Sequence, residues 1–223
     1  MGMNRSSFAP NEWYHCFTRG VDKRQTFVDD ADYQRFHELL YLCNNTTAVH
    51  RSNLKRGTNV FEISRNDPLV HIGAYCLMPN HFHLLLQEID GTGISTFMRK
   101  LGTGYAMYFN KRYERVGNLF VKPFRSRHVA DDIYARQVSA YIHLNPLDIY
   151  RPKWEKDAVS LDHAQAENFL STYHFSSFID YLSPHSRAES AILAPEATAL
   201  FSSYQQNLSF PALIEHALDF LSR

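Results

Sequence analysis

The chain has 223 residues, 23 Lys and Arg against 23 Asp and Glu, and 44% apolar residues, among them 16 Phe and 13 Tyr. This is enough for one large domain, or for a catalytic domain of about 150 residues with an appendage. A run of about 18 apolar residues, as a membrane-spanning helix needs, does not occur. The first ten residues lack the apolar stretch of a signal peptide, so a cytoplasmic location is expected. Cys16, Cys43 and Cys76 have no CxxC spacing and cannot all pair, which is expected of buried, reduced thiols.

Trp13 to Arg19 reads as a first strand, ended by Gly20. Asp29, Asp30 and Asp32 open a helix whose apolar positions Phe36, Leu39, Leu40 and Cys43 recur at helical spacing. Thr46 to Pro68 is polar and irregular and reads as a long loop or insertion. Val70 to Met78 is a second strand, Pro79-Asn80 a tight turn, and His81 to Glu88 a third strand. Ile94 to Tyr113 is a long helix carrying Phe97, Leu101, Tyr105 and Tyr108 on one face. Leu119 to Val129 reads as a fourth strand, with Pro123 implying an edge or a bulge. Asp131 or Asp132 caps a last core helix that runs through Tyr141 to about Leu144, with Pro146 beyond its final turn.

The order β-α-β-β-α-β-α predicts an α+β fold: a ferredoxin-like antiparallel sheet over residues 11–150. Residues 151–223 are expected to form a mostly helical C-terminal extension, with helices near 162–173 and 210–221. The fold alone settles no function.

The net charge of zero does not favour a nucleic-acid partner, but the charge is unevenly placed. Eight basic residues and one acid, Glu114, lie between Arg99 and Arg127, whereas residues 157–223 hold eight acids and two arginines. The middle of the chain is locally cationic, around the elements that carry the chemistry.

Those elements are two. On a strand, alternate side chains share a face, so His81 and His83 of Met78-Pro79-Asn80-His81-Phe82-His83-Leu84-Leu85-Leu86 point together and can chelate one divalent ion. A bare His-x-His is more often two surface or hydrogen-bonded histidines. On the last core helix, Tyr141 and Asn145 of Tyr141-Ile142-His143-Leu144-Asn145 are four residues apart and project together. The phenol is a nucleophile only once a nearby cation stabilises its oxyanion, and the amide can supply a third ligand. A core tyrosine with a capping asparagine is the alternative.

The whole set resembles the single-tyrosine HUH transposases, and more narrowly the REP-associated tyrosine transposases. The matching segments are Tyr14-His15-Cys16-Phe17-Thr18-Arg19-Gly20, Met78 to Leu86, Gly117-Asn118-Leu119-Phe120, Phe124-Arg125-Ser126 and Tyr141-Ile142-His143-Leu144-Asn145-Pro146, in family order. Phe175-Ser176-Ser177-Phe178 resembles a downstream family element. The resemblance implies that His81 and His83 are the HUH pair, that Tyr141 is the nucleophile and that Asn145 is the polar ligand. It implies Mg²⁺ or Mn²⁺ as cofactor and single-stranded or hairpin DNA as partner, cut through a 5′-phosphotyrosine intermediate in DNA transposition. It also implies a protein acting as monomer or homodimer. Arg19, Lys111, Arg112, Lys122, Arg125 and Arg127 are the expected phosphate contacts. Departures from the family pattern are Lys122-Pro123 before Phe124, the insertion at residues 53–68, and Leu147-Asp148-Ile149 after Pro146. A non-catalytic ferredoxin-like nucleic-acid-binding module is the competing reading. A zinc hydrolase ranks lower, because no HExxH-type motif or second His/Cys cluster is present.

Overall fold

The computed structural model describes residues 8–47, 49, 51–65, 67–198 and 209–223. Four strands, β1 (Trp13–Arg19), β2 (Val70–Met78), β3 (His81–Glu88) and β4 (Arg125–Val129), form one antiparallel sheet in the order β2-β3-β1-β4. Helices α1 (Asp30–Leu42) and α2 (Gly93–Arg112) follow β1 and β3, and α3 (Asp132–Leu144) follows β4. This is the ferredoxin-like arrangement expected from the order of elements.

Strand pairing decides which side chains share a face. Tyr14, Cys16 and Thr18 lie opposite Leu86, Leu84 and Phe82. These point toward α1 and α2, where Phe36 packs on Phe82 with ring centroids 4.9 Å apart. His15, Phe17 and Arg19 lie opposite Leu85, His83 and His81 and face α3. Alternation within each strand therefore puts the apolar core on one face of the sheet and the polar set on the other.

Helix ends are capped by their own sequence. Asp29 accepts the Asp32 N–H and Asp131 accepts the Tyr134 N–H, each such cap contributing about 1 kcal/mol. At α2 the cap comes from the sheet: the buried Glu88 carboxylate accepts backbone N–H groups from Ile89, Asp90, Gly91, Gly93 and Ile94. Gly93 is required there, since a Cβ would lie 2.0 Å from the Leu69 carbonyl oxygen.

The two sheet edges are handled differently. β4 is short and exposed, and it carries Arg125 and Arg127, charges that discourage further pairing. β2 is an apolar edge strand, and the C-terminal extension covers it. Leu77 N–H donates to the Phe175 carbonyl, Ser177 N–H to that of Tyr75, and Ala194 N–H to that of Ile72. α4 (Leu147–Tyr150) leads into the extension, which contains α5 (His163–Thr172), α6 (Phe178–Leu182) and α7 (Phe210–Leu221). Its anchor is Arg187, paired with the buried Asp180 at 2.6 Å and donating to Tyr75 Oη and the Ser176 carbonyl.

The extension also accounts for the composition of α3. That helix buries Ala135, Val138 and Ile142 with the sheet, and Ala140 and Leu144 in a second apolar cluster with Leu170, Leu213, Ile214 and Ala217 of α5 and α7. A helix with apolar residues on two sides needs cover on both.

One boundary and two short helices differ from expectation. The fourth strand begins at Arg125, not Leu119. Residues 119–121 still run beside the end of β1 (Val21 N–H to the Leu119 carbonyl, Val121 N–H to that of Arg19), but Pro123, with no N–H, interrupts the ladder. Pro146 ends α3 as expected, yet its φ of −62° also suits the start of α4, which follows at once. Helix α6 was not foreseen, because five residues are too few to show a period. All three cysteines are buried and free.

Candidate active site

Register brings His81 and His83 of β3 into line with Arg19 and Phe17 of β1 and with Met78 and Cys76 of β2. The two imidazoles are edge to face, centroids 5.0 Å apart. α3 crosses this face so that the Tyr141 ring lies 5.3 Å from that of His83. A hollow of about 360 Å³ opens between them, lined by Phe17, Thr18, Arg19, His81, His83, Val121, Pro123, Arg125 and Tyr141. Strand and helix therefore converge: Tyr141, His81 and His83 meet at one opening.

The tautomer of His81 follows from its neighbour. Asn80 Nδ2 donates to the Lys23 carbonyl, so its Oδ1 faces His81 Nδ1 at 2.7 Å. An amide oxygen only accepts, so Nδ1 carries the proton and Nε2 keeps its lone pair. His83 Nδ1 lies 2.8 Å from His15 Nε2 in a buried contact. When His83 donates in that contact, it too presents a free Nε2, the outer-partner arrangement common to metal-binding histidines. Burial holds both imidazoles neutral: His81 falls to about 4 and His83 well below the ordinary value, with the Arg19 charge adding to each shift.

Asn145 is buried, and its amide adjoins both His81 and Tyr141. No hydrogen bond satisfies its Oδ1, which is sealed from solvent without a partner. Such an orphan costs about 1–3 kcal/mol unless something fills its lone pairs. Two neutral imidazoles and an unpartnered amide oxygen suit a divalent ion of intermediate hardness. Among the described residues no group of three or more His, Cys, Asp or Glu side chains is placed to hold a metal.

Tyr141 is half-buried, and burial raises its phenol; the Asn145 amide and Arg19 act the other way, and Asp148 adds to the rise. At neutral pH it is a phenol, not a phenolate. Its ring is held from behind by Phe220 of α7, stacked with centroids 4.3 Å apart.

The expected phosphate contacts separate into groups. Arg19 and Arg125 are exposed and line the hollow. Arg127 is exposed and lies opposite His15 in the sheet. Lys122 is exposed on the strip beside the hollow. Lys111 is exposed but belongs to a groove between α1 and α2. Arg112 has another job: it is paired with Asp29 at 2.6 Å and with the fully buried Asp32 at 2.7 Å. It braces α1 against α2, since both of its terminal nitrogens donate to those carboxylates.

Two contributors were not singled out from sequence. Asn80 was read only as a turn residue and His15 only as part of a motif. Both act on the imidazoles across strand or turn contacts that no spacing rule reports.

Fold and side chains together define a ferredoxin-like protein in which a His-x-His strand faces a helix-borne tyrosine. The family model described as "Transposase IS200 like" matches residues 33–145, half of the chain, and the chain belongs to that family of transposases. Among solved structures it is similar to one described as a REP-associated tyrosine transposase bound to a REP hairpin. The TM-score is 0.52 at 15% identity, covering 82% of this chain and 87% of that one. That likeness speaks for the fold. No curated protein matches the chain in sequence. No helix among the described residues is long and apolar enough to cross a membrane.

Proposed function

We propose that the protein is a metal-dependent endonuclease and strand transferase for single-stranded or hairpin DNA, acting through a 5′-phosphotyrosine intermediate. The observation that carries this is the convergence of Tyr141 with His81 and His83, beside an Asn145 oxygen that is buried with no partner. Family membership supports DNA transposition as the setting, and the solved relative supports a hairpin as the substrate's form.

In this reading His81, His83 and Asn145 would hold a Mg²⁺ or Mn²⁺ ion. When bound, the ion supplies Lewis-acid polarisation of the scissile phosphate. The chain's own part is placement. Arg19 and Arg125 bring cationic charge to the mouth of the hollow and draw the DNA backbone in. The Phe220 ring fixes the Tyr141 phenol, so that little orientational freedom is lost on reaction. Tyr141 Oη attacks phosphorus as its proton passes to solvent, the bond to the 3′ oxygen breaks, and that oxygen takes up a proton from solvent to leave as a free 3′-hydroxyl. The phosphotyrosine retains the phosphodiester's energy, so the 3′-hydroxyl of another strand reverses the step and joins. Here one chain supplies both the imidazoles and the phenol, as a monomer acting alone would require.

The test is covalent capture. A hairpin oligonucleotide labelled downstream of the cut, incubated with Mn²⁺, should leave its label on the protein, and Tyr141→Phe should remove the adduct while DNA binding persists. An adduct that survives Tyr141→Phe places the nucleophile elsewhere. Binding without any adduct in the unaltered protein favours the non-catalytic module.

A further inference from the structure

On the opposite face of the sheet from the imidazoles lies a larger cleft of about 540 Å³, between α2 and residues 117–124. Its size falls within the range of about 300–1,000 Å³ usual for pockets that enclose small organic ligands. Thr18, Val121 and Pro123 line both this cleft and the hollow at Tyr141. The two are thus neighbours, divided only by a thin strip of chain.

We infer that this cleft receives an unstacked nucleobase from the single strand whose phosphate lies at Tyr141. The inference rests on the function proposed above and specifies where that strand goes next. Three features argue for a base as occupant. The first is the lining: the half-buried Phe124 ring presents aromatic surface along the cleft, backed by the buried rings of Phe82 and Phe120, and stacking on such surface is tolerant of base identity. The second is charge. Arg99 and Lys122 also line the cleft, and across α2 it adjoins a groove to which Arg56, Arg99, Lys100 and Lys111 contribute. That groove has no acidic lining residue among those described, which suits a polyanion and not a neutral metabolite.

The third feature is Gly102. It sits in the interior of α2 and lines the cleft. Glycine in a helix interior is unfavourable by about 1 kcal/mol relative to alanine. Packing often explains such a residue, as Gly93 illustrates above. At Gly102 it does not: a Cβ would meet no atom within 4 Å, and φ there is not positive. The helix thus forgoes a side chain at a point where the only consequence is open space in the cleft. A wall kept bare for an incoming flat ring accounts for this.

The test separates base from backbone. Binding of a fluorescein-labelled 12-mer of randomised sequence is compared with that of its wholly abasic counterpart, by anisotropy, in the Tyr141→Phe protein. The 12-mer with bases should bind about tenfold more tightly or better. Gly102→Leu should bring it to the abasic level and leave abasic binding unchanged. Thr103→Trp, at an exposed lining position one residue along, should do the same if Gly102→Leu fails to fold. Gly102→Ala should raise Tm. Unaltered preference for bases in a folded Gly102→Leu or Thr103→Trp protein overturns the inference, as does an equal loss for both oligonucleotides. Absence of a phosphotyrosine adduct in the parent protein would sink the proposed chemistry instead, and leaves this binding comparison readable.

Discussion

His15 Nε2 lies 2.8 Å from His83 Nδ1, in a contact closed to solvent and joining the middles of β1 and β3. The geometry makes His15 the partner that turns the His83 ring and holds its tautomer. His15→Phe keeps a ring of similar size and removes the nitrogen. Outer partners of metal-binding histidines are worth about 10–100-fold in affinity. Mn²⁺ binding, followed by titration calorimetry or by loss of the free-ion EPR signal, should weaken by that order while the circular dichroism spectrum is unchanged. Full retention of Mn²⁺ affinity would show that His83 needs no such partner.

Arg112 and Arg125 should behave oppositely. Arg112 braces Asp29 and Asp32, whereas Arg125 lines the hollow. Arg112→Gln should lower Tm and leave the dependence of DNA affinity on salt as it was. Arg125→Gln should leave Tm unchanged and reduce the slope of log K against log salt by about 0.7, the value for one phosphate contact on a single strand. The reverse pattern would exchange their roles.

Stability should fall in mild acid. His37 and His143 are buried, the His143 ring facing Ser177 and Phe178, and burial lowers each to about 3. The unfolded chain takes up protons on these groups from about pH 6.5 downward and the folded protein does not. The stabilisation is therefore complete above that pH and is lost as pH falls from about 6.5 toward 3. Each histidine steepens the loss by up to about 1.4 kcal/mol per pH unit in that window. Urea midpoints measured from pH 8 to pH 5 should be flat at first and then decline. A flat profile throughout would mean that these imidazoles gain a proton within the fold.

Phe220 ties the extension to the chemistry. Its ring stacks on Tyr141 and meets His15 edge-on at 5.7 Å. Removing a buried phenylalanine side chain costs about 3–5 kcal/mol, so Phe220→Ala should lose stability of that order. Phe220→Leu should restore most of the stability, yet with the aromatic support gone adduct formation should remain slower than in the parent. Equal adduct rates for Leu and Phe at this position would leave Phe220 with a packing role alone.

Much of the scaffold was legible because it rests on local rules. Alternation and apolar density bounded β2 and β3 at Val70, Met78, His81 and Glu88, and the aspartates at 29–32 and 131–132 marked the helix starts, with the structure selecting Asp29 and Asp131 as the caps. Two-residue spacing put His81 and His83 on one face, and four-residue spacing put Tyr141 near Asn145. The fourth strand was misjudged at its start, because the pairing of Val121 with Arg19 depends on a partner strand and Pro123 breaks the ladder beyond it. The charge of Arg112 was visible in the sequence, whereas its carboxylate partners, some 80 residues away in the chain, were not.

By itself the sequence determined which residue types stand at which spacings, and hence the strand that bears the imidazoles, the helix that bears the phenol and the family to which both belong. Only the tertiary structure decided that β1 lies beside β3 so that His15 and Arg19 reach the imidazoles, that α7 backs Tyr141, and that α2 leaves an open cleft beside Gly102. The reason is range. Periodicity and capping act within a few residues, whereas the hydrogen bonds, ring contacts and exclusion of water that complete the site join segments from distant parts of the chain and exist only after it has folded.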